Sequence, residues 1–69
     1  MNVLLQKKVT KFLALSKMKT TDFCRSVPIS NTALREWLKG QREISIKSEN
    51  QIVNFMSSYV KSLVDLAND

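Results

Sequence analysis

Apolar residues recur along this chain at helical spacing, in four blocks separated by short polar breaks. In the first block, residues 3–18, Leu5, Val9, Phe12 and Leu13 share one stripe. Leu15 and Met18 widen it, while Lys7, Lys8 and Lys11 fall mainly on the other side. The pattern predicts an amphipathic helix with Asn2 as its N-cap and a solvated lysine face. Lys19-Thr20 breaks the pattern. A short second helix follows, with Thr20 or Thr21 as cap and Asp22 in the first turn, where the helix dipole favours a negative charge. Phe23, Cys24 and Val27 point inward, and Pro28 ends the helix by pushing the residue before it out of helical geometry.

Ser30 then reads as the N-cap of a third helix over residues 31–39, with Gly40 as its stop. Ala33, Leu34, Trp37 and Leu38 form its inward stripe. Asn31, Thr32, Arg35, Glu36 and Lys39 are left for solvent or a ligand. A loop carries Arg42. Residues 46–67 contain neither Gly nor Pro and predict one helix of 22 residues, capped by Ser45 or Ser48. Ile52, Met56, Tyr59, Leu63 and Leu66 recur on its stripe, flanked by Val53, Val60 and Ala67. With Phe55 and Val64 added, this is more apolar surface than a small core needs. Ile52, Val53 and Met56 are expected to pack inside. Tyr59, Leu63 and Leu66, in the later part, suit either intramolecular packing or a self-association face. The expected fold is an all-α bundle of four to five helices, a single domain over residues 1–69 with a long C-terminal helix.

Composition narrows the chemistry. With 69 residues the domain is small, and one Cys and no His exclude an internal disulfide and the usual zinc site. Stability must come from an apolar core. The same residue inventory gives no histidine base, and the one Gly provides no phosphate-cradling loop, so no enzyme is expected and no cofactor, metal or small-molecule ligand is implied. Cys24 reads as a small buried hydrophobe rather than a nucleophile. No apolar run approaches the roughly 20 residues of a membrane span. The start, MNVLLQKKVTK, has its lysines after the apolar cluster, unlike a signal peptide, so a cytoplasmic protein is expected.

Charge is uneven. Nine basic residues against three acidic ones in residues 1–44 give +6, and residues 45–69 sum to −1. A one-sided positive field suits a polyanion, although the same charge serves solubility.

The stretch Thr20–Gly40, TTDFCRSVPISNTALREWLKG, resembles the helix-turn-helix of the phage repressor and Cro-like (XRE-like) family. The small Cys24 stands in the middle of the first helix, with Phe23, Val27 and Ile29 at the family's apolar positions. Ser30 starts the second helix, Leu34 and Trp37 follow at the expected spacing, and WLKGQR resembles the family's common ending. The turn departs from the pattern: Pro28 replaces the usual glycine, and with φ locked near about −65° the turn must be built differently.

The resemblance implies a lambda-repressor-like fold and a small regulator, often a repressor of phage or mobile-element origin, that binds double-stranded DNA. Asn31, Thr32, Arg35 and Glu36 would read bases in the major groove. Asn suits adenine and Arg suits guanine. Lys19, Thr20, Thr21, Ser30, Lys39 and Arg42 would contact phosphates. A dimer, or a partner regulator protein, would complete the recognition. The alternative is a protein-interaction module of the same shape that modulates a partner repressor.

Overall fold

The computed structural model describes residues 2–68, which form four α-helices and no strand. They are α1 (Val3–Ser16), α2 (Thr20–Ser26), α3 (Asn31–Leu38) and α4 (Ile46–Ala67). The chain is thus an all-α bundle with a long last helix. It has four helices, the lower of the two numbers its pattern allows.

Three of the four helix starts are set by side chains that satisfy free backbone N–H groups. Asn2 Oδ1 accepts from Leu5 N at 3.1 Å, Ser30 Oγ from Ala33 N at 3.1 Å and Ser45 Oγ from Ser48 N at 3.1 Å. The start of α2 differs from expectation. Lys19 occupies the N-cap with no side-chain bond, and Thr20 is already helical, so neither threonine caps the helix. α1 also ends two residues early: Lys17 adopts left-handed geometry at φ 57°, and Met18 lies beyond the helix but still packs on the core.

α3 closes in a Schellman motif. Gly40, at φ 76°, donates to the Trp37 carbonyl at 3.0 Å, and Gln41 N donates to the Glu36 carbonyl at 2.8 Å. A Cβ at position 40 would crowd this left-handed turn, which explains where the single glycine is used.

The turn between α2 and α3 is built around Pro28. Val27 is extended, at φ −116° and ψ 126°, as a residue before proline prefers. Ile29 N then donates to the Val27 carbonyl at 2.7 Å, a three-residue γ-turn centred on Pro28. Neither Val27 nor Pro28 adopts positive φ, so no glycine is required there.

The core draws on every helix. Leu5 and Val9 of α1, Phe23 of α2, Val27, Leu34 and Trp37 around α3, and Ile52 of α4 are buried. Each such side chain contributes about 1.5–3 kcal/mol by leaving water. Phe12, Phe23, Phe55 and Tyr59 pack edge-on around them, with Phe12–Tyr59 centroids 5.2 Å apart and Phe23–Phe55 5.3 Å apart. These rings tie α4 to α1 and α2. Two expected core residues face out instead. Leu15 is 74% exposed, because it lies well round α1 from the Leu5–Val9–Phe12 stripe. Val53 is 43% exposed, about 100° round α4 from buried Ile52.

Candidate nucleic-acid interface

α3 is anchored on one side and open on the other. Leu34 and Trp37 are buried, and Ala33 and Leu38 are half-buried beside them. At 100° per residue, Thr32, Arg35, Glu36 and Lys39 share the opposite arc, about 100° wide. Thr32, Arg35 and Lys39 are exposed and Glu36 is half-buried. Arg35 forms no ion pair among the described residues, so its guanidinium is free to meet a ligand.

Asn31 occupies a different place from the one its sequence position suggests. It borders the inward arc and is half-buried. Its Nδ2 donates to Thr21 Oγ1 at 3.4 Å, and its Oδ1 is buried without a hydrogen-bond partner. Adenine readout needs both amide atoms at once. In this conformation the amide instead links the start of α3 to α2, and reading a base requires it to rotate outward. Ser30 is likewise engaged: its Oγ caps α3, leaving only the hydroxyl proton to offer a phosphate.

The remaining candidates surround this arc in sequence. Lys19 and Thr21 at the start of α2 are exposed, and Thr20 is half-buried. Arg42, beyond α3, lies 4.0 Å from Glu36 with both side chains partly exposed. This loose pair joins a base-reading candidate to a phosphate candidate. Around the turn, Phe23 and Val27 are buried, while Cys24 and Ile29 are half-buried against the core. Burial raises the Cys24 thiol pKa above its ordinary value, by desolvation of the thiolate, which makes Cys24 a weak nucleophile at neutral pH.

A residue absent from the motif fixes α3 from behind. Gln6 of α1 is only 8% exposed, and its Nε2 donates to the Trp37 carbonyl. The same carbonyl accepts from Gly40 N, so Gln6 braces the C-terminal end of α3 where the helix stops. A partial signal was available: Gln6 lies beside Leu13 at the edge of the inward stripe of α1, where a polar residue that becomes buried must find a partner.

Of the three later α4 candidates, Tyr59 packs its ring on Phe12 and is half-buried. Leu63 and Leu66 are exposed. Among the described residues, no helix is long and apolar enough to cross a membrane, and no three His, Cys, Asp or Glu side chains gather as a metal site would require.

No protein-family profile, curated protein or solved structure matches the chain.

Proposed function

We propose that the protein binds duplex DNA through α2 and α3, without catalysis, as a small cytoplasmic transcriptional regulator of the phage repressor and Cro-like kind. The observation that carries this reading is the outward arc of α3. It places Thr32, Arg35, Glu36 and Lys39 together on a helix whose other side is locked into the core. A helix held this way can enter the major groove without losing its own packing. Arg35, unpaired, meets guanine N7 and O6. Lys39, Lys19 and Arg42 neutralise phosphates, and Arg42 exchanges Glu36 for that partner. The +6 charge of residues 1–44 draws the duplex to this half of the molecule.

Binding to duplex DNA, followed by fluorescence anisotropy, is expected at low salt. Log affinity should fall linearly with log salt, by about 0.9 per phosphate neutralised. Arg35→Ala is expected to cost about 1–3 kcal/mol on a selected site and to relax base preference at one position, whereas Lys39→Ala weakens all sequences about equally. Equal losses on all sequences from both variants would make Arg35 a phosphate contact. No affinity for any duplex at low salt would overturn the reading.

One observation favours a second reading. Glu36 puts a carboxylate in the middle of the outward arc and holds Arg42 there. A phosphate-rich groove repels that charge unless a cytosine amino group meets it, while a partner protein with a basic residue would accept it. In that reading the same face binds and modulates another regulator. Glu36→Lys distinguishes the two: lost base preference at one position of a selected site supports the DNA reading, whereas lost binding to a partner regulator with duplex binding no weaker supports the other.

A further inference from the structure

The apolar stripe of α4 outlasts the globule that covers it. Ile52 is buried, Phe55 and Met56 are half-buried, and Tyr59 packs on Phe12 near the end of α1. Beyond that point α1 has ended at Ser16, and α4 continues to Ala67 with little against it. Val60, Leu63 and Val64 are each about half exposed, and Leu66 is 71% exposed. Eight further helical residues extend α4 by about 12 Å past Tyr59, consistent with a molecule 42 Å long and only 21 by 20 Å across.

Beside this overhang lies its complement. Phe12, Leu15 and Ser16 of α1 and Tyr59, Val60 and Leu63 of α4 line an open apolar groove of about 330 Å³. Leu15, which left the core stripe, forms part of its rim. A single chain therefore carries both a projecting aliphatic ridge and a groove of matching chemistry, next to one another on the same helix. A chain with both halves of a contact on one patch can pair with itself around a two-fold axis, each ridge entering the other's groove.

We infer that the overhang of α4 is a self-association surface whose occupant is a second copy of this chain, antiparallel, with Leu66 of each copy seated against Leu15 and Phe12 of the other. This inference is independent of the DNA reading. Area supports it. Leu15, Val60, Leu63, Val64 and Leu66 together offer roughly 300 Å² of apolar side chain per copy. Doubled and given the usual polar rim, the contact reaches on the order of 1,000 Å², the lower bound for a specific interface. Charge supports it too. On a helical projection Asp65 lies on the far side of α4 from this stripe, and Lys61 lies at its edge beside Val64, where a long side chain keeps its ammonium in water. Residues 45–69, which supply the ridge, sum to −1, so the ridge does not repel the basic α1 of the other copy's groove. An anionic lipid surface is a poorer occupant, because it attracts the basic half rather than this one.

Sedimentation equilibrium on the full chain without DNA tests the inference. The average mass is expected to rise from monomer toward dimer, and no further, between about 1 and 500 µM, the range in which interfaces of this size dissociate. Leu66→Glu is expected to weaken pairing at least tenfold while leaving the helical circular-dichroism spectrum and melting at low concentration unchanged. Leu15→Glu, on α1, should do the same, because its side chain rims the groove. A wild-type chain that stays monomeric throughout overturns the inference, as does assembly beyond the dimer. Loss of pairing with Leu66→Glu but not with Leu15→Glu overturns the ridge-in-groove geometry. A dimer with no affinity for DNA leaves this inference standing and removes the DNA reading alone. Flotation of the monomeric wild type with anionic vesicles would reassign the face to lipid.

Discussion

At the scale of single residues, the hydrogen-bonded polar side chains show most about how α3 is held. Among the described residues Gln6 is the one buried polar side chain of the core, and its bond to the Trp37 carbonyl joins α1 to the end of α3. Gln6→Ala removes that donor and part of the packing, and is expected to cost about 1–2 kcal/mol in a urea titration. Gln6→Leu keeps the volume, so a loss of similar size there would assign the cost to the hydrogen bond rather than to a cavity. Cys24 gives a second test. Its folded pKa is raised, so the folded state holds the thiol proton more tightly than the unfolded chain does. Its contribution to stability is complete below the ordinary thiol pKa and is lost as pH rises through the raised one. Denaturation midpoints of the wild type are expected to fall more steeply across that alkaline window than those of Cys24→Ala. The inward residues of the motif were legible at this scale, because burial follows from spacing. The placement of Asn31 was not. It depends on whether position 31 falls on the edge of the inward arc and on whether Thr21 comes within reach, and both follow from how α3 crosses α2.

At the scale of elements, the ends of the helices carry the information. Ser30, Ser45 and Asn2 cap the helices that the pattern assigned to them, since a small polar residue ahead of an apolar period has few other uses. α4 was legible over its whole length for the same reason, together with the absence of Gly and Pro. α2 was less so. Two adjacent threonines both suit a cap, and the chain uses neither, starting the helix at Thr20 behind Lys19. α1 stops at a residue no propensity favours: Lys17 takes left-handed geometry while Ser16 Oγ accepts from Met18 N at 3.2 Å. Gly40 holds the same geometry with the residue suited to it. Gly40→Ala is therefore expected to cost about 1 kcal/mol, with an unchanged urea m-value, because the Schellman bonds to Trp37 and Glu36 can form only with a left-handed residue there. A neutral effect would mean that α3 ends by another route in solution.

At the scale of the whole molecule, the chain divides by charge and by cover. The basic residues lie with α1 to α3, and the long apolar stripe runs out beyond them on α4. Composition showed the first division and periodicity hinted at the second. What periodicity could not show is where α1 ends relative to α4, and that alone decides that Tyr59 finds Phe12 while Leu66 finds nothing. The γ-turn at Pro28 bears on the whole molecule in another way. A glycine turn leaves the unfolded chain free to wander, and folding must remove that freedom. Here proline fixes its own φ and confines Val27 to extended geometry even before the chain folds. The approach of α2 to α3 is thus partly built into the unfolded chain. It closes only a short loop, the least costly kind, so this pair of helices is a natural place for folding to begin, with α1 and α4 condensing onto it.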